Sequence, residues 1–259
     1  FRIAATGERV TMGHIRTLPV KSQGAIRLVP VIERLVDALA ATLSRLPAGT
    51  GVHVGLCLPE RMGEGAAKYF RGQRVRIEQA LLGRIEAFGL RPAIQTEARG
   101  HAGLAFALRA ADRALTEGRA AVAVVGGVDT AYDAAVVEAL SDAERLFDSE
   151  HPHAMLPGEG GALLLVGGHE TATRYGLRAR ATLGAAATAR EPGHLRGELP
   201  CQGAGLSAAA NAVTARLRAE RVGLDWWLGD MTGEPWRVHE FQLAWPRAAA
   251  DTMAPTAAL

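Results

Sequence analysis

The sequence has only two cysteines, no long apolar run and almost no net charge. Cys57 and Cys201 are too few for a disulfide framework, so a reducing, cytoplasmic setting is expected. No apolar run approaches the roughly 20 residues that a membrane helix needs, and no charged-then-apolar leader opens the chain. The formal net charge is +2 and the arginines are scattered, which disfavours a nucleic-acid surface. We therefore expect no membrane and no nucleic-acid partner.

What is present fits one large α/β domain. The 259 residues are 48% hydrophobic, which is enough to bury a substantial core. Apolar periodicity predicts helices over 26–46 and 75–88, with short buried strands over 52–58 and 92–95. Helices alternating with strands in this way favour a mostly parallel sheet with helices on both of its faces.

The central stretch of the chain runs from residue 96 to 129. It is predicted to form a loop (96–103), an amphipathic Ala-rich helix (104–115), a strand (121–125) and a Gly-rich turn (126–129). A turn entering such a helix points several unpaired backbone N–H groups at one spot, where an anion or a developing oxyanion is stabilised.

The rest of the chain repeats this order more loosely. A tight turn at residues 158–160 precedes a strand over 163–166. The predicted elements that follow are a strand (177–188), a helix (206–217), a strand (224–230), a helix (236–250) broken at Pro246, and an aperiodic tail (251–259).

Two blocks together resemble the beta-ketoacyl synthases, the condensing enzymes of the thiolase superfamily. The first is Gly103-Leu104-Ala105, the helix, Gly118, the strand and Gly126-Gly127-Val128-Asp129. The second, about thirty residues on, is Leu146-Phe147-Asp148 followed by the Gly158-Glu159-Gly160 turn and its strand. The match covers residues 96–166. It implies a thiolase-like, layered αβαβα fold: a single domain over 1–259 made of two pseudo-repeated halves, 1–168 and a shorter 169–250.

The resemblance also identifies the positions at which catalytic residues are expected. The family carries a cysteine at the start of the central helix, and that position falls on Gly100; a shift of one residue would place His101 there. The first family histidine lies in a His-Gly-Thr-Gly-Thr-Pro run, and Asp230 takes its position in Asp230-Met231-Thr232-Gly233-Glu234-Pro235. The block with the second histidine is not recognisable. Condensing activity is therefore in doubt, although the fold is not.

The same comparison predicts a substrate and oxyanion region around the central turn. Its residues are Gly103, Gly126, Gly127, Glu159 and Gly160. For Glu159 we expect a structural role, because a carboxylate in a tight turn can accept hydrogen bonds from neighbouring N–H groups.

Other reactive side chains have simpler interpretations. Cys201 precedes a Gly-rich turn and a helix, like a nucleophile elbow, but no apolar strand leads into it. Cys57 lies within a strand and is interpreted as a core thiol. His151, His153 and Asp148 form a polar loop more simply than a metal pocket. No metal and no cofactor are predicted.

Three functional hypotheses remain open. The first is a ketosynthase-like subunit that lacks catalysis and pairs with an active ketosynthase, as chain-length-factor subunits do. The second is an acyl-thioester acyltransferase or hydrolase that uses His101 or Asp230. The third is a non-catalytic scaffold that keeps the dimerising fold. The resemblance implies a homodimer or a heterodimer, with an acyl carrier protein or an acyl thioester as a further partner.

Overall fold

The computed structural model describes residues 1–4, 6–195 and 197–249. The chain divides into two compact units: Phe1–Leu146 with Leu156–Ala181, and Phe147–Met155 with the chain from Thr182 onward. The predicted division after residue 168 differs from these units, because 169–181 stay with the first and 147–155 join the second. The predicted tail, 251–259, lies outside the described residues.

The first unit holds the four strands and six of the helices described. The strands are β1 (Gly51–Cys57), β2 (Arg91–Glu97), β3 (Val122–Thr130) and β4 (Glu159–Gly167). The helices are α1 (Ala25–Ala38), α2 (Ala40–Leu43), α3 (Lys68–Glu86), α4 (Gly103–Thr116), α5 (Ala134–Asp142) and α6 (His169–Arg174). Short 3-10 turns lie at Glu60–Met62 and Gly100–Ala102.

The four strands form one sheet in the order β2-β1-β3-β4. Strand β1 is parallel to β2 and β3, with Val54 in register with both Ile94 and Val124. Strand β4 runs antiparallel to β3, with Val124 opposite Leu165. The predicted mostly parallel sheet is therefore confirmed. The carboxyl ends of its three parallel strands lie at one edge.

Alternate residues of the strands supply two separate cores. On one face, Leu28 and Ile32 of α1 and Ile77 of α3 belong to one buried cluster with Val54 and Val124. Burying each such aliphatic side chain contributes about 1.5–3 kcal/mol. On the other face, Ala107 and Ala111 of α4 pack against Ala123 and Val125. Helices thus cover both faces, as the pattern predicted.

Strands β3 and β4 are longer than predicted, and both predicted Gly-rich turns are wrong. Residues 126–129 continue β3, and Glu159-Gly160 begins β4. The glycines permit close approach of the two strands: a Cβ on Gly126 would lie 2.0 Å from the Ala162 carbonyl oxygen. Glycine at this position therefore reflects close strand packing.

The second unit is helical where it is regular. It contains α7 (Ala204–Ala219) and α8 (Pro235–Ala249). The predicted strands over 177–188 and 224–230 are wrong, because the described residues there offer no neighbouring strand to pair with. The predicted break at Pro246 is also wrong, since that proline lies inside α8. Helices α5 and α6 had not been predicted.

None of the helices in the described part of the chain is both long and apolar enough to span a bilayer.

Candidate functional site

The candidate site lies where the 3-10 turn Gly100–Ala102 enters α4, at the edge formed by the carboxyl ends of β1, β2 and β3. In parallel α/β sheets, ligands bind at this edge. Gly100 has φ +54°, in the left-handed region that favours glycine, and its N–H donates to the Leu58 carbonyl at 3.2 Å. A Cβ placed on Gly100 would meet Glu60 Cγ at 3.5 Å, an ordinary contact. At Gly100, the predicted cysteine position, there is thus space for a Cβ, but the left-handed φ disfavours residues other than glycine.

A thiol does lie beneath this turn, but it comes from β1. Cys57 is the last residue of β1, and its Sγ lies 3.7 Å from where a Cβ on Gly103 would stand. Burial raises the pKa of Cys57 to about 11, and the neighbouring Glu97 carboxylate adds to the rise. A thiolate nucleophile is disfavoured there, in agreement with the interpretation of Cys57 as a core thiol.

Charged side chains surround the turn. Arg99 donates to the Glu97 carboxylate at 3.0 Å, and its guanidinium stacks 4.3 Å from the centre of the Phe106 ring. Arg61 bonds the Asp129 carboxylate and donates to the Thr130 carbonyl at 2.9 Å. The edge of the sheet is thus polar and ion-paired.

The structure places His101 and Gly103 beside Gly100. His101 is exposed on the 3-10 turn, and Gly103 is buried at the first position of α4. Leu104 of α4 is 42% exposed, while the buried side chains on this helix are alanines. The small alanines bring α4 close to the sheet, and Leu104 lies outside that contact.

Gly126 and Gly127 are paired on both sides within the sheet. They stand in register with Leu56 and Cys57 of β1 and with Leu163 and Ala162 of β4. A Cβ on Gly127 would lie 2.5 Å from the Cys57 carbonyl oxygen, so β1 and β3 approach closely here only because this residue is glycine. Their assignment to a substrate or oxyanion region stays a prediction.

Glu159 is the first residue of β4, and its carboxylate is buried in an ion pair with Arg27. The next residue, Gly160, lies opposite Asp129 of β3. Arg27 Nε donates to Glu159 Oε2 at 2.5 Å and Nη2 to Oε1 at 2.7 Å. The Ile15 N–H donates to Oε1 at 2.6 Å and the Thr130 hydroxyl to Oε2 at 2.9 Å. Burial alone would raise the pKa of Glu159, but these four bonds outweigh it and hold the pKa below its usual value. Glu159 thereby joins β4 to α1 and to the opening segment.

Asp230 lies in the second unit, whereas Gly100 and His101 lie in the first. Its carboxylate is exposed and bonded by Arg237 of α8. Four residues on, Glu234 is buried and accepts a hydrogen bond from the Thr232 hydroxyl at 2.9 Å.

The remaining candidates also lie in the second unit. His151 Nδ1 stands 3.0 Å from Asp148 Oδ1. His153 does not belong to the one group of three potential metal ligands that lie close together among the described residues. Cys201 precedes α7 without a strand before it, and burial raises the pKa of its thiol. Glu191 and Glu240 approach Cys201 closely. This cluster has no signal in the sequence, because its members lie on separate segments with no shared motif.

By sequence, no family profile matches this chain, and no curated protein does. Solved structures do match. A type II polyketide synthase acyl-carrier protein in complex with its ketosynthase bound to the hexaketide gives a TM-score of 0.68 at 12% identity, over 93% of this chain and 67% of that chain.

Two further structures agree. A Streptomyces albus JA3453 oxazolomycin ketosynthase domain gives a TM-score of 0.57 at 19% identity, over 93% of this chain and 48% of that chain. The ishigamide ketosynthase/chain length factor gives a TM-score of 0.50 at 21% identity, over 93% of this chain and 70% of that chain. At these identities the likeness concerns the fold. The predicted ketosynthase-like, thiolase-type α/β fold is confirmed.

Proposed function

We propose that this chain is a ketosynthase-like protein of polyketide- or fatty-acid-type metabolism that does not condense acyl units. It works paired with an active ketosynthase, in the manner of a chain-length factor. The observation that carries this proposal is Gly100: the turn into α4 is built, with backbone donors at a helix N-terminus, but glycine stands where the family has its cysteine.

The neighbouring thiol does not replace the missing one. With a pKa of about 11, roughly one Cys57 thiol in 10⁴ is ionised at pH 7. The thiolate is the form that attacks an acyl thioester, so acyl transfer to Cys57 is slow. Loss of a covalent nucleophile from machinery of this kind typically costs on the order of 10⁶ in rate.

The second half of the reaction is weakened as well. Decarboxylation of a malonyl extender needs a donor that stabilises the enolate oxygen. An ionised carboxylate only accepts hydrogen bonds, and Asp230 is exposed and ion-paired with Arg237. Asp230 therefore does not supply what the family's histidine supplies.

Two of the similar structures suggest the kind of partner with which this chain pairs. One similar structure is described as a ketosynthase/chain length factor, and another as a ketosynthase in complex with an acyl-carrier protein. For this chain we propose the same kinds of partner: an active ketosynthase subunit, with an acyl carrier protein or acyl thioester approaching the assembly. Strand β2 lies at the edge of the described sheet, and such an edge can pair with a second chain.

Thiol release tests the catalytic part. Incubated with acyl-coenzyme A or acyl-carrier-protein thioesters, the protein should release thiol no faster than buffer. If thioester is consumed, and His101→Ala or Asp230→Asn abolishes that turnover without unfolding the protein, the chain is an acyltransferase or hydrolase that uses a non-cysteine site.

Light scattering and native mass spectrometry test the pairing part. We expect a homodimer, or a heterodimer when the chain is co-expressed with a type II ketosynthase subunit, burying more than about 2,000 Å². A monomer at micromolar concentration that recovers no ketosynthase would remove the pairing role. A dimer that neither binds acyl thioester nor changes the partner's product length would leave the scaffold role.

A further inference from the structure

Three potential metal ligands converge in the second unit. They are Glu191 in the loop before α7, Cys201 just ahead of that helix, and Glu240 in α8. A carboxylate oxygen of each glutamate and the Cys201 sulfur all lie within 4.8 Å of one another, and all three residues are half-buried. Three separate segments of chain thus bring one thiol and two carboxylates to a single point.

The backbone around this point holds the ligands in place. The Gly205 N–H donates to Glu191 Oε2 at 2.7 Å and the Gly193 N–H to Oε1 at 3.2 Å. A Cβ on Gly205 would lie 2.6 Å from the Glu191 nitrogen, so the loop and α7 meet only because this residue is glycine. Gly203, with φ +61°, likewise lets the turn approach the Glu240 carbonyl, which a Cβ would reach at 3.0 Å.

Without a cation, the neighbouring carboxylates disfavour ionisation of Cys201 and of Glu240. Burial raises the pKa of Cys201, a hydrogen bond from the Gly203 N–H opposes the rise, and the Glu191 and Glu240 carboxylates add to it. Burial also raises the pKa of Glu240, as do Glu191 and Asp230, while Arg237 acts against the rise. A bound divalent cation reverses this situation, because it favours the deprotonated form of every ligand.

We propose that Glu191, Cys201 and Glu240 form a Zn²⁺-binding site. Thiolate sulfur and carboxylate oxygen are both zinc ligands, and three protein ligands leave a fourth tetrahedral position for water. This proposed site is independent of the ketosynthase-like function, and it differs from the sequence-based expectation of no metal.

Binding releases protons and involves no redox step. The Cys201 S–H bond breaks, its electron pair goes to Zn²⁺, and the proton goes to solvent, together with any proton held by Glu240. Affinity therefore rises with pH through the range in which Cys201 ionises. The charged groups that influence this step are Glu191, Asp230 and Arg237.

Equilibrium dialysis of the full chain against Zn²⁺, followed by metal analysis, tests the site. We expect one Zn²⁺ per chain, and we expect Cys201→Ser to weaken binding more than about 100-fold, since even outer-shell partners cost roughly 10- to 100-fold. Glu240→Gln should weaken it in the same direction. Cys57→Ala is the matched control, because it removes the other thiol and should leave the affinity unchanged.

A cobalt spectrum reports the same site independently of affinity. Co²⁺ bound through Cys201 should give a thiolate-to-metal charge-transfer band that Cys201→Ser loses and Cys57→Ala keeps. Thermal unfolding without metal checks that each variant is folded. The proposal is overturned if wild type retains no stoichiometric Zn²⁺, if folded Cys201→Ser binds it equally well, or if the band depends on Cys57.

Discussion

Replacing Glu159 by glutamine should destabilise the first unit more than any exposed charge change. Glu159 and Arg27 both have fully buried side chains, and the guanidinium donates twice to the carboxylate. Glu159→Gln leaves Arg27 buried without a counter-charge.

The size of the effect follows from that burial. Removing one partner of a buried ion pair costs about 3–5 kcal/mol, because the other charge stays in a low-dielectric setting. Net contributions of about 1.5–3 kcal/mol for each of the two charged hydrogen bonds from Arg27 give a similar total. For a protein of this size, that loss corresponds to a fall in Tm of roughly 10 °C.

Urea unfolding monitored by circular dichroism measures the change. Glu117→Gln is the matched control, since the Glu117–Arg119 pair is more than half exposed on both sides and should contribute less than about 1 kcal/mol. The double variant Arg27→Met/Glu159→Leu, which removes both charges, should recover most of the loss. A loss below 1 kcal/mol for Glu159→Gln would refute the buried-pair reasoning.

The same carboxylate gives the unfolding free energy a defined pH dependence. Its pKa is lower in the folded state than in the unfolded chain, so its contribution is fully present above the unfolded value of about 4.3. As the pH falls from there through the folded pKa, the contribution is lost. Wild type should therefore lose stability in acid more steeply than Glu159→Gln, and equal slopes would contradict this.

Two further predictions concern the face of the sheet that α4 covers. Ala107 is 1% exposed, and a Cβ on Gly55 would lie 3.1 Å from the Ala107 Cβ. The variant Ala107→Leu should therefore overpack this contact and lower the free energy of unfolding by about 1–3 kcal/mol. An unchanged midpoint of urea unfolding would argue against the close contact. Because the pKa of Cys57 is about 11, the rate of its alkylation by iodoacetamide in the folded protein should still increase above pH 10. Peptide mass spectrometry measures this rate, and a rate that reaches a plateau below pH 9 would contradict the buried-thiol assignment.

Short-range patterns were enough to predict much of the first unit. The apolar positions of α1 and α3 recur at helical spacing, and the β-branched residues of β1 and β3 form compact runs. These elements sit in contiguous sequence, so local periodicity and tertiary packing agree. The turn into α4, which resembles that of the beta-ketoacyl synthases, was recognisable for the same reason.

What could not be predicted depends on contacts between distant residues. The Gly126-Gly127 pair resembles a turn in isolation, and only the close approach of β4 explains why glycine is needed inside a strand. Arg27 and Glu159 are 132 residues apart, so no local pattern links them. In the second unit, Trp226 and Leu228 have strand-like spacing but are 78% and 87% exposed, since no paired strand is described beside them.

Intact-mass spectrometry after incubation with an acyl thioester tests the central claim most directly. The variant Gly100→Cys is the positive control: a Cβ there has room beside Glu60, and the new thiol would stand at the N-terminus of α4, which favours the thiolate. The left-handed φ of +54° costs that variant about 1–2 kcal/mol, which a folded protein can tolerate. Its catalytic partners are still missing, so it should acylate itself without condensing. Wild type should show no acyl mass on any residue, whereas an acyl adduct on wild type would contradict the account.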